Sequence, residues 1–393
     1  MRGMKGLAAA LAATTLAQAL ATLAVYVLPV LAPAAARELG VGAGLIGAQV
    51  ALVYAAASVT SAVSGTVLAR LGPAGCTQLA LVSGGVGTAA IALGGLPGAA
   101  LGSVLLGIGY GLTTPPATQV LARLTPPARR NLVFSIKQMG VPLGGTLAGL
   151  SLPVLALAIG WQGAALGVAA ALLIAAIVLF PFHAAWGRGA PSGTSPRMGT
   201  IQALRMSPGL LSLAVMGATF SAIQLSLGAF AVTALVEEFG WGAVAAGAGA
   251  AAVQASGAGA RLLWAMLADR IRAGLPLLAA IGVGTALAAL AMPLALHWPD
   301  AAVLLLLCVF GACSAGWTGI AMAEVARLAP PGAAGAATGG VMAVTYVGVV
   351  VGPSLFAGLA LLAGTYTAAF ALVSLLPLCG AAVALRAHRR LGA

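Results

Sequence analysis

Ala122-Arg123-Leu124-Thr125-Pro126-Pro127 returns with a single change as Ala326-Arg327-Leu328-Ala329-Pro330-Pro331, 204 residues further on. Each copy closes a long apolar run, the fourth and the tenth of the chain. Ala69-Arg70, after the second run, is echoed by Asp269-Arg270 after the eighth, at a spacing of 200. Two matches in the same order and at nearly the same offset argue for a duplicated unit of six runs. Working outward from these markers, charges and turn residues divide the chain into twelve apolar segments: 7–35, 44–68, 77–96, 99–122, 132–159, 163–182, 208–236, 242–266, 276–297, 301–325, 335–361 and 366–385. A crossing of the hydrocarbon layer takes roughly 20 residues. All twelve are expected as helices, because an open strand edge cannot be satisfied in lipid and the runs lack the alternation of barrel strands.

Composition points the same way. Of 393 residues, 61% are hydrophobic and 6% charged, with a mean hydropathy of +1.10. A soluble chain would carry about a quarter of its residues as charges. The net charge of +12 comes from Lys and Arg scattered singly, which excludes a nucleic-acid surface. Cys76, Cys308, Cys313 and Cys379 have neither paired nor metal-ligand spacing and are expected as small core residues, so no cofactor or metal is expected. Met1 to Ala36 imitates a signal peptide, but its apolar run is too long and eleven more follow.

The cations also set the orientation. Arg2, Lys5, Arg70, Arg123, Arg129, Arg130, Arg188, Arg197, Arg205, Arg270, Arg272, Arg327, Arg386, Arg389 and Arg390 fall on one side, and Arg37 on the other. The positive-inside rule then makes both termini cytoplasmic. The expected organisation is a six-helix bundle over 1–182, a cytoplasmic linker over 183–207 rich in Gly, Pro, Ser and Thr, and a second bundle over 208–393.

Over its full length the chain resembles the major facilitator superfamily, whose two six-helix halves are parallel repeats that bind substrate between them. The family's Gly-x-x-x-Asp-Arg-x-Gly loop motif stands here as Gly65-Thr66-Val67-Leu68-Ala69-Arg70-Leu71-Gly72, with Ala69 in place of the acid. The second copy keeps it in Ala268-Asp269-Arg270, and the tenth helix ends in Glu324-Val325-Ala326-Arg327. The resemblance implies that charges here close a cytoplasmic gate, with Arg70, Asp269, Arg270, Glu324 and Arg327 as its residues. Gly140-Val141-Pro142-Leu143-Gly144-Gly145 is similar to a disturbed Gly-Pro-x-x-Gly-Gly signature of drug/proton antiporters. Gly140, Gly144, Gly145 and Gly149, with Gly348 and Gly352 in helix eleven, also read as close-packing surfaces.

Lys137 and Arg261 are cations inside apolar runs, where an unpaired charge costs several kcal/mol. Lys137 lies seven residues beyond Arg130, roughly 10 Å deep at 1.5 Å per residue, and Arg261 eight before Asp269, roughly 12 Å deep. The family architecture implies that helices five and eight face one another, so both cations are expected at the central cavity, where an anion would bridge them. An Arg eight residues before the loop Asp resembles the substrate-binding Arg of monocarboxylate and oxalate/formate porters, and cyanate and nitrate porters of the superfamily likewise hold small anions with intramembrane cations. Gln138, Tyr26, Gln224, Trp317 and Tyr346 are further candidates for the cavity wall, as is Gln18. Gln138 and Gln254 are read as donors beside the cations. For Lys137 the competing reading is a side chain snorkelling to the headgroups.

All six acids and His183, His297 and His388 fall at or beyond helix ends, so no spanning segment holds a catalytic pair or metal cluster, and an enzyme is excluded. The expected protein is an all-α secondary transporter of the bacterial inner membrane that moves a small anion, most simply a carboxylate, by alternating access. The rival is efflux of hydrophobic drugs. Expected partners are the anion, protons or a counter-anion, and the bilayer, with no nucleic acid; the chain is expected to be a monomer.

Overall fold

A computed structural model describes residues 2–31, 44–182 and 200–392, together with positions 35, 38, 40 and 186. Arg37, Arg188, Arg197 and His183, and most of the expected linker, lie outside the described residues. So do the side chains of Arg2 and Lys5. Every described element is helical. Among the described residues, nine helices are long and apolar enough to cross a membrane. Two of these, Gln49–Leu93 and Pro127–Val178, are each a pair of spans joined without a loop. Glycines make the joins. Gly72 adopts φ 69° and Gly160 φ 75°, conformations that a Cβ disfavours, so the chain reverses there within one or two residues. The helix Ala243–Ile271, diluted by Gly and by its own charges, supplies the twelfth span.

The spans are α1 (Arg2–Val25), α2 (44–71), α3 (73–93), α4 (Gly95–Leu124), α5 (130–158), α6 (161–178), α7 (Pro208–Glu237), α8 (Ala243–Ile271), α9 (Gly274–Ala291), α10 (Asp300–Leu328), α11 (Ala334–Ala363) and α12 (366–392). Both α4 and α10 are broken. Thr113 separates Gly95–Gly111 from Thr114–Leu124, and Trp317 separates Asp300–Ala315 from Thr318–Leu328. The two breaks stand at the same 204-residue spacing as the repeated hexapeptides, so the duplication extends to an irregularity of the backbone.

The chain forms two compact units. Unit 1 is Met1–Pro126, Ile136–Met206 and Ala329–Ala343; unit 2 is Pro127–Ser135, Ser207–Leu328 and Val344–Ala393. Each therefore includes a short piece, the start of α5 or of α11, from beyond its own stretch of chain. In unit 1, Ser58 Oγ donates to the Ala343 carbonyl at 2.7 Å, and the Gly65 amide donates to Thr200 Oγ1 at 2.9 Å.

Small residues set the packing of α5 on α1. A Cβ at Gly140 would stand 2.7 Å from Gln18 Cβ, and one at Gly144 would stand 2.7 Å from Thr22 Cβ. Gly145 only approaches the Tyr26 ring at 3.8 Å, and Gly149 meets nothing within 4 Å, which corrects the expectation that all four form one packing surface. Gly348 and Gly352 press against Ala218 and Ala222 of α7 in unit 2. Gly144→Leu is expected to lower the unfolding midpoint in detergent, by an overpacking cost of about 1–3 kcal/mol or more. Gly149→Leu is expected to leave the midpoint unchanged, and equal shifts would show that the helix contact is not what the glycine serves.

Unit 2 has an aromatic core. Phe356 stacks on Phe230 with centroids 4.7 Å apart and tilts against Phe370 at 4.5 Å, and Phe370 meets Phe310 edge-on. Cys76 and Cys313 are buried as expected, whereas Cys308 is half-buried and Cys379 exposed. The correction follows from the medium: a face turned to lipid is as apolar as a core, so hydropathy does not separate the two.

Candidate functional site

In unit 1 the centre of interest is Lys137, 2% exposed on α5. Its ammonium donates to Gln18 Oε1 of α1 at 2.8 Å, to Thr114 Oγ1 of α4 at 3.0 Å and to Gln138 Oε1 of its own helix at 3.0 Å. Three donors meet three acceptors, so the group is fully hydrogen-bonded. All three acceptors are neutral oxygens, so the charge is solvated without being neutralised. The side chain does not snorkel. Thr114 reaches it because α4 breaks at Leu112-Thr113 and restarts at Thr114, followed by Pro115 and Pro116, which suit a helix start and lack amide donors. Thr114 Oγ1 also lies 3.3 Å from Gln18 Oε1, and Thr118 donates back to the Thr114 carbonyl, so the cluster is tied to the first turn of the restarted helix.

In unit 2 Arg261 is 6% exposed on α8. The stripe on which it lies faces α10. Four residues before it, a Cβ at Gly257 would stand 2.8 Å from Ala315 Cβ; three residues after it, the Trp264 indole donates to the Ala312 carbonyl at 3.1 Å and covers Gly316. Residues three and four apart share one helix face. Trp317, 2% exposed at the break in α10, donates to Gln224 Oε1 at 3.1 Å and meets the Phe220 ring edge-on at 5.8 Å. The Gln224 carbonyl oxygen is thereby engaged by protein. Tyr346 is buried in the same unit.

Other expected residues fall differently. Tyr26 is 38% exposed at the end of α1, away from the ammonium's partners. Gln138 acts as an acceptor toward Lys137 instead of a donor beside it. Gln254 is exposed, two helical turns along α8 from Arg261.

The gate residues do not assemble into one ionic network. Among the described residues a single salt bridge is present, Arg327 Nη2 to Glu324 Oε2 at 2.6 Å. Glu324 lies against Gly274 at the start of α9, where a carboxylate is favoured by the helix dipole. Arg70 and Arg270 are exposed. Asp269 instead receives the backbone amide of Asn131 at 3.1 Å, the Asn131 side-chain amide at 2.8 Å and the Leu132 amide at 3.0 Å. One carboxylate thus caps the first turn of α5, satisfying amides that a helix start leaves unpaired. In place of a charge partner, Asp269 thus has one side-chain and two main-chain amides of the segment that unit 2 takes from α5, while Glu324 and Arg327 form one pair. Arg123, with no acid near it in sequence, donates to the Trp186 carbonyl at 2.5 Å.

Thr114, Thr318, Ser135 and Asn131 escaped sequence reading. Threonine at both helix restarts, 204 residues apart, was the signal available for the first two. Among the described residues no group of three His, Cys, Asp or Glu side chains gathers to hold a metal.

Twelve spanning helices in a duplicated arrangement, with buried cations and broken helices within the spans, define a polytopic membrane transporter. The family model of the Major Facilitator Superfamily matches residues 14–353, and the chain belongs to that family. It is a secondary transporter, not an enzyme. Three solved structures share the fold along nearly whole chains. The E. coli fucose:proton symporter aligns with a TM-score of 0.77 and 13% identity, covering 96% of this chain and 98% of its own. A proton:xylose symporter gives 0.74 and 15%, covering 98% and 96%. The human organic anion transporter gives 0.74 and 19%, covering 96% and 99%. No curated protein matches the sequence.

Proposed function

We propose that this transporter carries a small anion, most simply a carboxylate, and that Lys137 in unit 1 and Arg261 in unit 2 are the positive side chains the anion meets. The observation that carries the reading is the burial of both cations, 2% and 6% exposed, within apolar spans. Such charges are costly in a membrane and mark substrate or ion paths. Lys137 is held by neutral oxygens alone. Five of the six carboxylates are engaged elsewhere, Glu38 with Trp161 and Gln162, Glu238 with the amides of Tyr366 and Thr367, Asp300 with Trp241, Asp269 with α5 and Glu324 with Arg327, and the sixth, Glu237, is exposed at the end of α7. A negatively charged guest supplies what the lysine's own surroundings lack.

The fold alone does not select the cargo, since one neighbour moves organic anions and two move sugars with protons. The two cations favour the first. They also disfavour efflux of cationic drugs, which they would repel. The same scarcity of buried acids supports uniport, anion exchange, or symport in which a proton neutralises the substrate itself. The distribution of Lys and Arg supports an orientation with both termini cytoplasmic, and the richness in Ala and Gly supports a bacterial inner-membrane location.

Thermal-shift screening of small carboxylates and inorganic anions on the purified chain tests the reading. An anion at a hundred times its Kd is expected to stabilise the protein by about 2.7 kcal/mol. Lys137→Ala and Arg261→Ala are each expected to weaken that shift, and unchanged shifts in both variants would favour drug efflux.

A further inference from the structure

We propose that the break in α10 is a seat for an oxyanion, built from the hydroxyls of Ser135 and Thr318, the first-turn amides of Thr318–Leu328, and Arg261. The proposal rests on the anion reading above and deepens it, giving unit 2 a defined carboxylate subsite with Arg261 as only one of its donors.

Three independent observations meet here. The first is the helix start. Thr318–Leu328 runs for 11 residues, and its first main-chain closure is the Ala321 amide on the Trp317 carbonyl at 2.9 Å. The amides of Thr318, Gly319 and Ile320 precede that closure and have no partner within their own helix, and a helix N-terminus attracts negative charge.

The second is a pair of idle hydroxyls. Ser135 Oγ is fully buried, at 0% exposure, and has no hydrogen-bond partner; Thr318 Oγ1 is buried and likewise unpartnered. Ser135 is aimed at this helix start, because its hydroxyl stands where a Cβ on Gly319 would have to go. Leaving a buried hydroxyl unsatisfied is costly, so two of them at one helix start point to a guest that accepts hydrogen bonds. The duplicated half offers a contrast. At the matching place in α4, the Thr114 hydroxyl is engaged by Lys137 and Gln18. The fold pairs this hydroxyl from within in unit 1 and leaves its counterpart on Thr318 without a hydrogen-bond partner in unit 2.

The third is the register of Arg261. Along the parallel pair α8 and α10, Ser256 Oγ donates to the Cys308 carbonyl at 2.9 Å and Gly257 abuts Gly311 and Ala315. Four residues further on α8 stands Arg261, and four residues beyond Ala315 on α10 stands Gly319. Guanidinium is the side chain suited to grip a carboxylate with two parallel hydrogen bonds, leaving the remaining lone pairs for hydroxyl and amide donors. Gly319 itself is required, since any larger residue would displace Ser135.

The test measures the dissociation constants of sodium acetate, sodium oxalate and sodium nitrate from the concentration dependence of thermal stabilisation of the full chain. Ser135→Ala and Thr318→Val are each expected to weaken the best of these anions about tenfold, the effect of losing one hydrogen bond to a charged group. Thr318→Ser keeps the hydroxyl and is expected to bind within about twofold of the parent, while Ser151→Ala, whose hydroxyl serves the Leu147 carbonyl, is expected to change nothing. Should Ser135→Ala disturb folding, Ser135→Cys keeps a similar volume with a much weaker donor and is expected to show the same loss. Retained affinity in both Ser135→Ala and Thr318→Val, with affinity lost in Arg261→Ala, would overturn the seat and leave the anion reading standing. No stabilisation of the parent protein by any of the three anions would overturn both.

Discussion

Asp269→Ala is expected to raise hydrogen exchange of the segment 127–138 by about a hundredfold and to cut transport by a similar factor. Its carboxylate is the common acceptor for the Asn131 amide, the Asn131 side chain and the Leu132 amide, all within 3.1 Å. Hydrogen bonds to an ionised acceptor contribute about 1.5–3 kcal/mol each. Water replaces part of that when alanine is introduced, leaving a net loss of about 3 kcal/mol, a hundredfold in the opening equilibrium. Residues 127–135 belong to unit 2, whereas α5 from Ile136 onward belongs to unit 1, so this cap is what fastens the start of α5 to α8. Asp269→Asn retains the shape but loses the charge, and is expected to fall between the parent and the alanine variant. Exchange mass spectrometry of the 127–138 peptide is the direct measurement; protection unaltered in Asp269→Ala would dispose of the cap.

The second large effect is expected from Gln18→Leu, and it should vanish when Lys137 is also removed. Gln18 Oε1 is the nearest of the three acceptors around the buried ammonium. Leucine leaves that charge one partner short in an apolar bundle, at a cost of about 3 kcal/mol. Lys137→Met removes the demand itself, so its folded state is expected to be as stable as the parent while transport is lost. The double variant is then expected to match Lys137→Met, a strongly non-additive pair. Unfolding midpoints in detergent for the four proteins decide the matter, and additive losses would mean that Gln18 acts as a packing residue only.

Much of this architecture was legible from hydropathy and charge. Spans of about 20 apolar residues must be helices in lipid, whatever surrounds them, and the hexapeptide repeat announced a duplication that the breaks at Leu112-Thr113 and Gly316-Trp317 reproduce. Lys137 and Arg261 were legible for the same reason: a charge is conspicuous where almost none is tolerated. Their partners were not. Gln18, Thr114 and Gln138 lie 119, 23 and 1 residues from Lys137, and neutral polar residues are common enough in spans that nothing singles them out before α1, α4 and α5 are packed. The partners of Asp269 were hidden for a related reason. Charges near helix ends invite pairing with other charges, whereas two of the donors that Asp269 meets are main-chain amides of another helix, which carry no mark in the residue names.

By itself, then, the chain determined that it crosses a membrane twelve times as two related halves and that each half buries one cation, because the transfer cost of apolar and charged groups depends on residue type alone. Tertiary structure decided what each polar group touches: three neutral oxygens around Lys137, main-chain amides on Asp269, idle hydroxyls at the restart of α10. Hydrogen bonds are short and directional, so their partners exist only once helices distant in sequence have been brought within about 3 Å of one another.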